Sequence, residues 1–169
     1  MAFTLVSDSF KDGDSIPNDY ILAERFGFGC AGGNKSPHLK WSGAPAGTKS
    51  FTITAFDPDA PTGSGFWHWV VVNIPPSITE LPVDAGNLMA GKLPAGAMMT
   101  RTDLGNTGYI GPCPPEGHPH RYLFTVFAVG ADRLDGVTAD SSAAVVGFGL
   151  FFNTLAKAEL MGLYKKPAG

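Results

Sequence analysis

Two separate segments gather the side chains of this chain that could do chemistry. They are Asp57-Pro58-Asp59-Ala60-Pro61 and Gly111-Pro112-Cys113-Pro114-Pro115-Glu116-Gly117-His118-Pro119-His120-Arg121-Tyr122. Each sets ionisable groups beside prolines, which fix φ and remove a backbone donor, so both loops are stiff before any ligand arrives. If they meet in space, carboxylates can orient imidazoles by hydrogen bonding, and imidazoles and a phenol can present donors to an anion. Two imidazoles and one carboxylate are also a metal-ligand set. Stiff polar loops at strand ends are where binding sites concentrate.

Strands must deliver both segments. Ser50-Phe51-Thr52-Ile53-Thr54-Ala55-Phe56 alternates hydroxyl and apolar side chains, a half-buried strand by its period of two, and runs into Asp57. Phe66 to Ile74 is an apolar strand that stops at Pro75-Pro76. Alternation along it puts Trp67 and Trp69 opposite His68, which then shares a face with Phe66 and Val70. Taken alone, a histidine in so apolar a strand reads first as a satisfied core residue. Arg121 to Val129 is the next strand, and at its start His120 and Tyr122 project to one face with Arg121 on the other. Two polar rings projecting together under a Pro-Pro loop favour a site. Phe3 to Val6 is a further short strand, and Lys11 to Pro45 reads as irregular chain dense in Gly, Pro, Asn and Asp. A helix is predicted from an N-cap at Ser141 or Ser142 through Ala143 to about Met161, with good helix formers in its last turns and Gly162 as its stop. The pattern predicts a mainly β protein, an antiparallel sandwich with peripheral helices, and no linker divides residues 1–169.

Composition narrows the function. A net charge of −3 with scattered Lys and Arg excludes a nucleic-acid footprint, and Lys165-Lys166 read as a frayed terminus. No apolar run reaches a membrane span, and Met1 to Asp8 lacks the basic start and apolar run of a signal peptide, which predicts a soluble, cytoplasmic chain. Two cysteines, Cys30 and Cys113, permit one disulfide or none, with free thiols the default in a reducing compartment.

Several motifs carry less than their letters suggest. Gly27-Phe28-Gly29-Cys30-Ala31-Gly32 has the spacing of a dinucleotide fingerprint, but Asn34-Lys35-Ser36-Pro37 follows where a helix must open, so a flexible surface loop is the better reading. Ser64 lies in a Gly-Ser-Gly turn and not in a nucleophile elbow. Asp57 and Asp59 can both serve as Asx-turn acceptors, with Asp57 the better pocket candidate because it leaves a strand. His118 reads as an exposed loop residue, and His38 has no partner visible in the sequence.

Taken together, these blocks resemble the phosphatidylethanolamine-binding protein family, most closely its bacterial and archaeal Raf-kinase-inhibitor-like branch. The resemblance rests on Asp57 to Pro61, on Trp67-His68-Trp69 with Val70 to Pro75, and on Gly108-Tyr109, Gly111 to Pro115 and His120-Arg121-Tyr122. A fourth block runs from Cys30 to Trp41. Ala31 and Ile110 depart from the branch's usual residues, and the short segment between Pro61 and Phe66 implies a rim unlike that of eukaryotic members.

The resemblance implies a large antiparallel sheet packed beside a smaller one, and a small pocket for phosphate or phosphorylated head groups. The positions it marks are Asp57, Asp59, His68, His120 and Tyr122, with Pro114 and Pro115 shaping the wall. On this reading Asp57 and Asp59 position both histidines as donors. No catalytic residue, metal or cofactor is expected, and a phosphorylated or zwitterionic ligand such as phosphoethanolamine is. Two other readings stay open: a surface that inhibits a kinase or protease, and a metal-dependent enzyme using His68, His120 and Asp57. A homodimer is compatible with the light surface charge.

Overall fold

The computed structural model describes residues 2–168. Eight strands form two antiparallel sheets. The smaller joins β1 (Thr4–Val6), β2 (Leu39–Ser42) and β5 (Glu80–Leu81) in the order β1-β2-β5. The larger joins β3 (Ser50–Asp57), β4 (Phe66–Ile74), β6 (Met98–Met99), β7 (His120–Val129) and β8 (Thr154–Tyr164) in the order β6-β4-β3-β7-β8. Leu5, Leu39, Trp41 and Leu81 of the small sheet pack on Phe51, Ile53, Phe124 and Val126 of the large one, and Trp41 meets Phe51 edge-on at 5.5 Å. The hydroxyl-bearing alternation of β3 places it centrally, where it is buried along almost its whole length. Among the described residues no helix is long and apolar enough to cross a membrane.

Three expectations need correction. The irregular stretch contains β2, whose Leu39 and Trp41 are buried while Lys40 and Ser42 face solvent. Two alternations are too short a signal to stand out among so many turn residues.

The predicted helix ends early. The one α-helix, α1, spans Ala143–Asn153 and is capped by Ser142, whose Oγ accepts the Val145 N–H at 3.2 Å. Thr154 to Tyr164 is instead β8, paired with β7 along its length. Helix propensity differs by only a fraction of a kcal/mol per residue among ordinary residues. The open edge of β7 offers backbone bonds and burial for Ala158 and Leu160, with Lys157 and Glu159 pointing out, and that outweighs it. Gly162 is no helix stop. It lies mid-strand opposite Tyr122, where a Cβ would come within 2.5 Å of Ile16.

The third correction concerns β4. Ala55 pairs with Trp69 and Phe56 with Trp67, so His68 is the extra residue of a β-bulge. Trp67 therefore faces the outside, stacked on Phe56 at 4.2 Å, whereas Trp69 turns into the core against Tyr109. The bulge also sets His68 on the opposite side from Val70, which packs in the cluster beneath α1.

Candidate ligand-binding site

One end of the large sheet collects the polar residues. Asp57 ends β3 opposite Phe66 at the start of β4, and His120 opens β7 opposite Tyr164 near the end of β8. A cleft of about 300 Å³ opens there, with Asp57, His68, His120 and Tyr122 among its lining residues. All four are buried, at 2–7% exposure. Pro61, Phe66, Ile110, Pro114 and Pro115 add apolar wall.

Asp57 has two tasks. Its Oδ1 accepts the Asp59 N–H at 2.8 Å, which fixes the turn, and its Oδ2 receives His120 Nδ1–H at 2.7 Å. A ring nitrogen against a carboxylate carries the proton, so Nε2 of His120 is left for a ligand. Tyr122 is two residues further along the same face, and burial together with the Asp57 charge pushes its phenol well above the usual range. It therefore stays an O–H donor.

His68 is held differently. Its bulge frees its carbonyl to accept the Ile110 N–H at 2.9 Å, while its Nδ1–H donates to the Ile110 carbonyl at 2.7 Å. Burial pushes its pKa down, against the opposing pull of the Ile110 carbonyl and the Asp57 charge. A neutral ring with Nδ1 protonated leaves Nε2 bare, as an acceptor. The ring stands edge-on to Tyr122 at 5.3 Å and tilts against Phe66 at 4.9 Å.

Asp59 lies outside the cleft, so the expectation that it orients an imidazole is not met. Its Oδ2 accepts from the Arg121 N–H at 2.9 Å and Nε at 3.0 Å, and its Oδ1 from a terminal guanidinium nitrogen at 2.8 Å. These bonds from the Arg121 side chain and backbone hold the carboxyl down to about 2. Asp59 thus staples the Asp57 loop to the start of β7, keeping Asp57 and His120 in register. His118 is exposed. His38 has partners after all: it is buried between Glu80, on its Nε2, and the Asp8 N–H, which donates to Nδ1 at 2.9 Å.

The loop from Gly27 to Gly32, expected to be flexible, is tied down at Cys30. Cys30 is disulfide-bonded to Cys113 across 83 residues, so the free-thiol default does not hold. Asn34 Oδ1 accepts the Gly111 N–H at 2.8 Å, and its amide donates to the Tyr109 carbonyl at 3.2 Å. Both ties fix the wall that carries Ile110, Cys113 and Pro114. No helix follows the glycines, so the phosphate-binding context their spacing would need is missing. Sequence reading also passed over Leu22, Phe28 and Lys166, which line the cleft from segments remote in the chain. No local spacing announces them.

Among the described residues no three His, Cys, Asp or Glu side chains converge as metal ligands. Asp57 and His120 bond to each other rather than to a shared point. Ser64 is exposed in the turn between β3 and β4.

The chain as a whole has known relatives. The family model described as phosphatidylethanolamine-binding protein matches residues 6–165. The chain belongs to the phosphatidylethanolamine-binding protein family. Within it, UPF0098 protein YbcL of Escherichia coli is 49% identical over 165 residues, covering 97% of this chain and 88% of the relative. UPF0098 protein YbhB of the same organism is 48% identical over 160 residues, covering 95% and 98% respectively. The crystal structure of E. coli YbcL, described as a new member of the mammalian PEBP family, superposes with a TM-score of 0.94 over 99% of this chain and 100% of that one. A carboxypeptidase Y inhibitor solved with its cognate proteinase matches at a TM-score of 0.50 and 19% identity, covering 98% of this chain and 83% of that one. That likeness concerns the fold alone.

Proposed function

We propose that the chain is a non-enzymatic binding protein whose cleft holds a phosphate or phosphorylated group, with zwitterions such as phosphoethanolamine the best match. One observation carries this reading: the buried Asp57–His120 pair, the Tyr122 hydroxyl and the bare Nε2 of His68 open into one cleft. The Asp57 carboxylate orients the His120 ring and leaves its Nε2 as the edge that meets a bound anion, donating when protonated. Tyr122 adds a neutral donor. His68 accepts, which suits a ligand with a donor of its own, either a protonated phosphate oxygen or an ammonium. Among the described residues no activated nucleophile faces the cleft, since Cys113 is locked in the disulfide and Ser64 lies in its turn.

Charge-assisted hydrogen bonds contribute about 1.5–3 kcal/mol each. Three of them, less the cost of association, support micromolar binding at most. The disulfide favours an oxidising compartment over the cytoplasm expected from the N-terminal residues.

Titration calorimetry with phosphoethanolamine tests the reading. Wild type should bind, and His120→Ala should weaken binding about tenfold or more. Unchanged affinity in His120→Ala sinks the assignment.

A further inference from the structure

Among the described residues the cleft lining contains one fixed cation, Lys166, which lies beyond the last strand. Lys166 follows two residues after the end of β8, is half-buried, and lines the same cleft as Asp57 and His120. Its ammonium donates to the Phe28 carbonyl at 2.9 Å. An ammonium has three donors, and this is the one bond it makes among the described residues, so two remain for a ligand. The other cation nearby, Arg121, is committed to Asp59 outside the cleft.

The tip of Lys166 lies against the backbone at Gly29. At Gly29 the backbone has φ +89°, and a Cβ there would lie 2.7 Å from Nζ and 3.3 Å from Cε. The next residue is Cys30, and the disulfide sulfur of Cys113 touches the same Phe28 carbonyl at 3.3 Å. A sulfur in a disulfide carries no proton, so the carbonyl's donor is Lys166 alone. The ammonium is therefore placed by a covalently braced wall and not by a loose tail.

From this we infer that Lys166 is the charge-reading residue of the cleft, selecting a dianionic phosphate monoester over a monoanionic diester. The inference rests on the anion-binding reading above. His68 is held neutral and accepts, and His120 is bonded to the Asp57 carboxylate, which offsets any charge on its ring, so neither supplies net positive charge to a ligand. Lys166 does. A second negative charge on the ligand is the part that only Lys166 answers, and its flexible stem lets Nζ turn from the Phe28 carbonyl to a phosphate oxygen while keeping its seat.

The test compares ethyl phosphate with diethyl phosphate by calorimetry at about pH 7.5, where a monoester is mostly dianionic because its second pKa is about 6. Wild type, Lys166→Gln, Lys166→Arg and His120→Ala are titrated at low salt and at about 0.15 M. Lys166→Gln should weaken ethyl phosphate about five- to tenfold. Diethyl phosphate should change by less than about twofold, as for a solvent-screened charge without a matched partner. Lys166→Arg should recover most of the monoester affinity, and the salt dependence of wild type should flatten in Lys166→Gln. Equal loss for both esters, or no loss, overturns the role of Lys166 while leaving the pocket reading intact if His120→Ala still fails to bind. Full affinity in His120→Ala with loss in Lys166→Gln supports Lys166 and removes the histidine reading instead. Wild type that binds neither ester overturns both.

Discussion

The large sheet carries a cleft on each of its faces, and the two differ in everything but size. On the inner side, about 300 Å³ opens onto Asp57, His68, His120 and Tyr122. On the outer side, about 330 Å³ lies between the sheet and α1, lined by Thr54, Trp67, Val70, Phe127, Val146, Leu150 and Phe151 with Lys157 at its edge. The inner groups hold one another through hydrogen bonds, a disulfide closes one wall, and prolines stiffen two loops. In the outer cleft Thr54 and Thr154 are separate hydroxyls, and no carboxylate or imidazole accompanies them. A cavity becomes a site when polar groups converge on it already oriented.

The comparison breaks most sharply at Asp57. Replacing it by alanine strands the buried His120 Nδ1–H and the part-buried Asp59 N–H, and an unpaired buried donor costs about 1–3 kcal/mol. Urea denaturation of Asp57→Ala should therefore show a loss of about 2–5 kcal/mol, together with loss of phosphoethanolamine binding. If stability falls by less than about 1 kcal/mol, the Asp57–His120 pair is not the brace described here.

A smaller effect separates the staple from the site. The ordinary Asp59 value of 3.8 falls to about 2 in the folded chain. The unfolded chain thus binds the proton first as pH falls, and the staple's contribution, full above 3.8, is lost between there and about 2. Discounted for the exposure of the pair, it amounts to about 1 kcal/mol. His68 acts earlier. Its pKa lies below the ordinary 6.5, so the unfolded chain is protonated first and stability already declines as pH falls through that value. Asp59→Asn should remove the lower limb of the acid-stability curve and leave the upper one. A curve unchanged below pH 3.8 would show that the Asp59–Arg121 bonds contribute no net stability.

How much of this was legible depended on the range of the signal. β4 matches its predicted ends, and β3 and β7 do so to within a residue, because β3 alternates with a period of two while β4 and β7 are mostly apolar runs between proline or glycine boundaries. The shared face of His120 and Tyr122 followed from that period. What failed depended on contacts between distant residues. The His68 bulge is a register shift against β3, and no feature of Phe66 to Ile74 alone encodes it. β8 was disguised by Leu155 to Leu160, whose helix-forming residues yield only because β7 waits beside them. The strand that Asp57 leaves marked it as the better pocket candidate, but nothing local shows that Arg121 takes Asp59 while His120 takes Asp57. Lys166 looked frayed because its anchor, the Phe28 carbonyl, lies 138 residues away.

The smallest effect tests the outer cleft, and it sharpens the comparison from the other side. Phe151 lines that cleft but is 73% exposed, beside Phe148 and Phe152 at 70% each. The three rings touch mainly one another, at 5.2 Å and 5.1 Å between centroids, while Val146 and Leu150 carry the contact of α1 with the sheet. So Phe151→Ser removes little apolar area that folding had buried, and surface substitutions away from special features fall within about 0.5 kcal/mol. Its denaturation midpoint should match wild type within that range, and its calorimetric affinity for phosphoethanolamine should be unchanged. A loss of more than about 2 kcal/mol would mean that α1 is held through this ring. A change in affinity with intact stability would mean that the two faces of the sheet are coupled, contrary to the separation drawn here. The buried acid and imidazole of β3 and β7, Asp57 and His120, lie together at one end of the sheet, so the expected answer is neither.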